Sequence, residues 1–537
     1  MEQFSNFDLI LFVGYLCLMV GLGIWLARRG KQTSTQDYFL ASKALPWWAV
    51  GGSLIASNIS AEQFIGMSGS GYVVGLAIAS YELMAAITLI IVAKFFLPIF
   101  IDKGIYTMPQ FLEERFDRRV RIGLAIFWVL LFVFVNITSV LYLGGLALQN
   151  IMGISLQIGI IGLALYAATF SIFGGLKAVV WTDVVQVVVL ILGGLLASVM
   201  VLNAIGGGFF SGLSTLVDKA PEKFDMILDK SNPEYINLPG ISVLIGGMWI
   251  ANLYYWGTNQ YIIQRALAAR SLGEAQLGTA FAAFIKILLP IIVVIPGIAA
   301  FVLGADIAKP DEAYPWVLNN YVSSGFKGLA FAALIAAIGS SLSSMVNSTS
   351  TIFTLDIYKS FFMRPTAAQV DLDSHESDNP ILSDEEESKL VRVGKISAAL
   401  SLVIGVVVAP LLGNLDQAFQ FIQEYTGFIS PGVVAVFLFG LFWKRTSANA
   451  ALWAVILSIP LSILIEYFTP DFPFMDRIGI VFLTVSSIIV LISILENEAA
   501  DKKAIFYKEG LFKTSTLFNI AAIAVSGILA VIYAMYW

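Results

Sequence analysis

One histidine and one cysteine are all that 537 residues contain of the usual metal-binding and nucleophilic side chains. Cys17 sits inside an apolar run, so the chain can assemble neither a disulfide framework nor a thiolate metal site. His375 lies in a polar, acidic stretch and reads as a solvated side chain. Histidine–metal and Ser-His-Asp chemistry therefore lack their material, and no cofactor is expected. Charge is scarce too: 13% of residues are charged, about half the share of soluble domains. The net charge of −6 comes from acids gathered in a few segments, and nothing points to nucleic acid. No cationic stretch precedes the first apolar run and no small-residue cleavage site follows it, so no signal peptide is read.

What the chain has in quantity is apolar surface, with 58% hydrophobic residues. A soluble core cannot hide that much; a bilayer can. A membrane-spanning helix needs roughly 20 apolar residues. Runs of that kind fall near 8–28, 48–69, 73–101, 120–146, 151–173, 178–204, 240–263, 277–304, 326–357, 390–412, 416–443, 447–467, 474–495 and 515–536. Fourteen crossings put both termini on one side. If that side is external, the inner loops and flanks hold 23 of the 31 basic residues, among them Arg28, Arg115, Arg265 and Arg270. Six are external, and Lys94 and Lys286 fall within runs. An excess of basic residues marks the cytoplasmic side, so both termini are expected outside. Residues 205–239 form an external loop. Residues 360–389, with DLDSHESDNPILSDEEESK, form an acidic internal connector.

Polar groups inside such runs carry information, because an ionised group at the bilayer centre costs about 2.5–3.5 kcal/mol on insertion scales. With a rise of about 1.5 Å per residue, Glu82, Asn252, Lys286, Ser340 and Ser341 arrive near one depth, and Gln63 lies slightly outward. Each has a plain alternative. The serines fit close helix packing, Asn252 fits an interhelical hydrogen bond, and Glu82 with Lys286 fits a structural ion pair. Asp183 also fits an interfacial anchor, and Glu62 fits a polar crevice away from any ligand. Convergence of separate segments on one level is what carries the functional reading.

The segment SLIASNISAEQFIGMSGSGY (53–72) bears on this. Irregular backbone at membrane depth is tolerated where it is buried in protein or lines a cavity. Ser57, Asn58 and Ser60 loosen the helix there and free carbonyls, notably of Ala56 and Ile59. Oxygen ligands suit hard cations. Ser340 and Ser341, with Ala337 one turn earlier, complete a five-oxygen set without a carboxylate. Such a weak site suits sodium better than calcium. GGSLIASN (51–58) also echoes GGMWIAN (246–252) in a run that enters from the opposite side. Interrupted runs at corresponding places in two inverted halves mark a transporter whose substrate binds at the repeat interface. Among the mid-depth groups Gln63, Glu82, Asn252, Lys286 and Gln423, with aromatics Tyr81, Tyr255, Trp256 and Phe419 nearby, no arginine lies within a run. That favours a neutral polyol such as a hexose over a carboxylate solute.

The segments ASYELMAAITLI, VVWTDV, ANLYYWGTNQYIIQR, AAIGSSLSSMVNSTSTIFTLDIYK and AFQFIQEYTGFISPGVVAVFLFGLFWKR, with the 53–72 stretch, resemble the sodium/solute symporter family, most closely its bacterial sodium/galactose (sodium/glucose-type) branch. The resemblance implies an all-α membrane protein of fourteen helices with a leucine-transporter-like core of two inverted five-helix repeats. The divisions would be 1–47 (first helix and cytoplasmic loop), 48–204 (first repeat), 205–239 (external loop), 240–443 (second repeat) and 444–537 (three last helices). It implies sodium-coupled hexose symport across a bacterial inner membrane by alternating access, with sodium as the coupling ion. Sodium ligands would be the carbonyls of Ala56, Ile59 and Ala337 and the hydroxyls of Ser340 and Ser341. Sugar contacts would come from Gln63, Glu82, Asn252, Lys286 and Gln423. Tyr255 would stack on the sugar as the inner gate beside Trp256, and Met67, Tyr81 and Phe419 would close the outer side. Asp183 would lie on the sodium exit path. One departure stands out: a sugar-contacting serine expected three residues after Glu82 is Ala85.

Other readings remain open at this stage. A sodium symporter for myo-inositol, sialic acid or proline is the nearest, although the missing arginine speaks against the two acids. A channel would need a continuous polar lining, whereas the polar groups here sit at one level. An intramembrane enzyme could use Glu62 and Glu82 as an acid/base pair, but no nucleophile or metal cluster accompanies them.

Overall fold

The computed structural model describes residues 5–29, 34–363, 383–414, 418–496 and 503–537. The described residues are helical apart from connectors and one isolated bridge between Leu45 and Ala269. Ten of the fourteen apolar runs are helices long and apolar enough to cross a bilayer. The other four, 48–69, 151–173, 240–263 and 416–443, are interrupted or short. Interruption was expected of the 48–69 and 240–263 runs; for 151–173 and 416–443 the shorter helices are new.

In chain order, the helices that place the site are α1 (Asn6–Arg29), α2 (Trp47–Asn58), α3 (Ser80–Ile91) and α4 (Leu156–Gly206). Then come α5 (Gly247–Leu253), α6 (Gln260–Leu267), α7 (Leu272–Leu289) and α8 (Lys327–Ile352). The set is completed by α9 (Asp384–Val408), α10 (Ala418–Gly427), α11 (Ser430–Phe442), α12 (Phe474–Leu495) and α13 (Thr516–Met535). The α8 segment is the centre of the bundle: 94% of its apolar window is buried, against 22% in α1 and 17% in α13. Those two present residues such as Ile10, Leu18 and Ile523 outward. An apolar exterior of this kind belongs in lipid. Helix α4 lies along α8, α7 packs on α2, and α1 packs on α4.

Three irregularities shape the core. Helix α2 ends where Ile59 turns extended (φ −75°, ψ 115°). The chain restarts as a wide turn over Glu62–Met67, followed by Ser68–Val73. Ser60 and Gln63 explain the restart. The Glu62 amide donates to Ser60 Oγ (3.0 Å), and Gln63 Oε1 accepts from the Ser60 amide (2.8 Å). The Ser60 and Gln63 side chains thus satisfy free amides of a helix start inside the protein, much as a capping box does, although Ser60 accepts from the second amide rather than the third. The second interruption is double. A 79° bend separates the helical segments 233–245 and 247–258, and Asn259 is again extended (φ −78°, ψ 123°) after a wide turn over Tyr254–Thr258. Gly247 is needed at the bend, since a Cβ there would lie 2.0 Å from the Met475 carbonyl on α12. Third, α4 is kinked at Gly175 (φ +56°), where a Cβ would meet the Tyr38 carbonyl at 2.6 Å.

The loops also differ from expectation in part. The 205–239 segment contains a helix, Phe209–Lys219. The 360–389 connector ends earlier than read, because α9 begins at Asp384 behind a Ser383–Glu386 capping box. Its acidic first turn matches the positive end of the helix dipole. His375 and the rest of 364–382 lie outside the described residues.

Candidate functional site

The breaks in the two interrupted helices, together with α3, α7 and α10, enclose one cavity. Gln63, Glu82, Asn252, Lys286 and Gln423 all line it, as do Met67, Tyr81, Tyr255, Trp256 and Phe419. Every sugar and gate residue singled out from the sequence therefore reaches one place. Ala85 lines it too, so the missing hydroxyl falls on the cavity wall. The enclosed space is about 60 Å³, room for several waters.

Lys286 is the hub of the cavity. Its ammonium donates to Glu82 Oε2 and to Asn58 Oδ1, and lies 4.9 Å from the centre of the Trp256 ring. The ion pair allowed as a structural alternative does form, but inside the cavity. Asn58 in turn donates through Nδ2 to the Tyr255 hydroxyl (3.0 Å), which also accepts from Tyr261 (2.8 Å). Asn58 had been read only as a helix-loosening residue; its place directly before the break was the available signal. Gln63 is held by Ser60, and Asn252 Nδ2 donates to the Met248 carbonyl at 3.1 Å. On the far side Tyr81 and Phe419 meet edge to face at 5.2 Å, and Met67, Tyr81 and Phe419 are all buried.

One turn away, the five oxygens expected for an ion converge between α2 and α8. Ser340 Oγ donates to the carbonyls of Ala56 (2.5 Å) and Ala337 (3.1 Å). Ser341 Oγ donates to those of Ile59 (3.0 Å) and Ser57 (3.1 Å). The chemistry fits a hard cation: each hydroxyl can rotate its proton away and turn a lone pair inward. Among the described residues there is no cluster of three or more His, Cys, Asp or Glu side chains that could hold a metal ion.

Deeper along the same helices Asp183 is fully buried, which removes the interfacial-anchor alternative. Its Oδ2 accepts from Ser53 (2.6 Å) and Ser57 (3.4 Å), and Ser57 shares a 2.8 Å hydrogen bond with Ser344. Arg265, counted from the sequence as a loop cation, is buried here as well. Its guanidinium reaches Ser344 and lies 3.8 Å from Asp183. No arginine lies within an apolar run, yet Arg265 is buried in the bundle all the same. It stands just beyond an apolar run, where charge counting cannot see tertiary burial. Arg115, also counted as a loop cation, is buried against carbonyls of Gly440 and Thr446.

Interrupted apolar helices with polar groups at their breaks, and an oxygen-lined cation niche beside them, define a membrane solute carrier rather than an enzyme. The chain belongs to the sodium:solute symporter family, whose model matches residues 38–377 and 379–458. It is 52% identical to the sodium/glucose cotransporter of Vibrio parahaemolyticus, over 99% of this chain and 98% of that protein. It is 32% identical to the sodium/myo-inositol cotransporter 2 of Homo sapiens, over 85% and 69%. Among solved structures it resembles a sodium-coupled sialic acid symporter in a substrate-bound outward-open state, with a TM-score of 0.78 at 24% identity over 93% of this chain and 100% of that one. A transporter of the nucleobase-cation-symport-1 family gives 0.55 at 14% identity, over 90% and 98%. At those identities the structures speak for the fold alone.

Proposed function

We propose that the chain couples inward sodium movement to uptake of a neutral hexose of the galactose or glucose type by alternating access. The observation that carries this reading is the cavity, where Gln63, Glu82, Asn252, Lys286 and Gln423 converge beside the Tyr255 ring. Amides and paired charges donate and accept in fixed directions, which a ring of hydroxyls requires. The Tyr81 and Ser430 hydroxyls line the same space without a partner among the described residues and leave hydrogen bonds for a guest. In this reading Met67, Tyr81 and Phe419 part to admit the sugar and Tyr255 swings to release it. Myo-inositol, another neutral polyol, is the second reading; Ala85 on the wall favours a solute that needs one hydroxyl contact fewer.

In this reading sodium binds among Ala56, Ile59, Ala337, Ser340 and Ser341 and leaves past Asp183. Coupling runs through the broken helix. Ser341 holds the carbonyls of Ser57 and Ile59, which flank Asn58, and Asn58 holds Lys286 and Tyr255. An ion that fixes the break thereby orders the sugar groups. The ten long helices and the four interrupted or short ones make fourteen crossings. Residues 48–204 and 240–443 are the inverted repeats, and both termini face outward from a bacterial inner membrane.

Uptake of labelled galactose and glucose into proteoliposomes, with and without an inward sodium gradient, tests the proposal. Uptake is expected only with sodium, and Lys286→Ala is expected to reduce it at least tenfold. Sodium-independent uptake, or an Ala variant equal to wild type, would sink it.

A further inference from the structure

Three charged side chains line the cavity: Glu62, Glu82 and Lys286. Lys286 is engaged by Glu82, so that pair adds little net charge. Among the described residues Glu62 has no ion-pair partner. Its carboxylate is buried, and its hydrogen-bond partner is the Ser139 hydroxyl at 3.0 Å, which is shared with the Asn136 carbonyl. The only other compensation is its place in the first turn of the half-helix that restarts at Ser60, where backbone amides favour a negative group. The cavity wall therefore carries one carboxyl group that no cation among the described residues balances, so a carboxylate solute held there must either face a like charge or bring a proton with it. A like charge about 6–10 Å away, in a medium of effective dielectric about 20, is repelled strongly enough to cost on the order of 10- to 100-fold in affinity.

We propose that Glu62 is a specificity-determining residue: its carboxylate excludes solutes that carry a carboxylate and favours neutral or amine-bearing polyols. The inference rests on the reading of this cavity as the solute site. It goes beyond that reading in assigning charge selection to a residue outside the hydrogen-bonding set.

The test is competition against sodium-driven galactose uptake in proteoliposomes by galacturonate, galactosamine and sialate, in wild type, Glu62→Gln and Glu62→Asp. Each result is expressed as the ratio of charged-competitor to unlabelled-galactose potency, so that a variant of lower activity still reports. In wild type the uronate and sialate are expected to compete at least tenfold less well than galactose, and the amine at least as well. Glu62→Gln is expected to raise uronate potency about tenfold or more relative to galactose, while Glu62→Asp keeps the exclusion. Equal ratios in wild type and Glu62→Gln overturn the proposal. If no hexose is transported at all, the hexose reading fails by itself, and direct sodium-driven uptake of myo-inositol and sialate then decides. Inositol without sialate supports Glu62 selection, and sialate uptake by wild type overturns it.

Discussion

Asn58 touches both polar centres. Its side chain bonds Lys286 and Tyr255, while the carbonyls on either side of it accept from Ser341. Asn58→Ala keeps the backbone carbonyls and removes the side-chain bridge. The factor by which sodium raises sugar affinity, typically about 5- to 150-fold for coupled sites, should fall toward one while sodium binding alone persists. Sugar titrations at low and saturating sodium would show it, and an unchanged factor would remove Asn58 from the coupling route. The buried Arg265–Asp183 pair gives a second residue-level expectation. Removing one partner of a buried pair typically costs about 3–5 kcal/mol, because the other is left uncompensated. Arg265→Ala should therefore lower the melting temperature in detergent sharply, and Arg265→Met combined with Asp183→Leu should recover much of the loss. A double variant no better than Arg265→Ala would mean that the surrounding hydroxyls, rather than the pair, set the stability.

The informative element is the half-helix that begins at Ser60. Gln63 serves it twice, as the side chain that accepts from the Ser60 amide and as a cavity wall. Gln63→Ala should cost about 1 kcal/mol of stability, the usual worth of a cap, as well as weakening sugar binding. Gln63→Glu should retain the cap and still impair uptake; melting curves beside uptake separate the two. This element was legible in the sequence, because Ser57, Asn58 and Ser60 are poor helix formers inside an apolar run. The second interruption was legible only as the GGMWIAN echo. Its extended residue, Asn259, lies beyond that motif. The division of 416–443 into α10 and α11 was hidden because Phe428 and Ile429 keep the run apolar across the gap. Hydropathy measures what lipid tolerates and is blind to a break made of apolar residues. Arg265 was missed for the converse reason: a charge at the end of a run looks like a loop anchor until its tertiary neighbours are known.

For the molecule as a whole, the proposed sodium niche and the proposed solute cavity share the broken helix but no side chain. Ser340 and Ser341 on α8 reach only backbone carbonyls of α2 and of α8 itself, and neither serine lines the cavity. Any effect of Ser341 on sugar must therefore travel through the conformation of residues 56–60. A ligand shifts an equilibrium only by its differential affinity for the two states. Linkage also requires the sodium effect on sugar to equal the sugar effect on sodium. Ser341→Ala removes one hydroxyl from the niche and no atom from the cavity wall. Sodium affinity should fall, with the half-saturating sodium concentration for uptake rising about tenfold or more. Sugar affinity should fall at low sodium and return toward the wild-type value as sodium saturates. Recovery at high sodium distinguishes lost ion binding from a damaged cavity, which sodium could not repair. If sugar affinity instead matched wild type at every sodium concentration, the ion would have to bind elsewhere, and the convergence of Ala56, Ile59, Ala337, Ser340 and Ser341 would be helix packing alone.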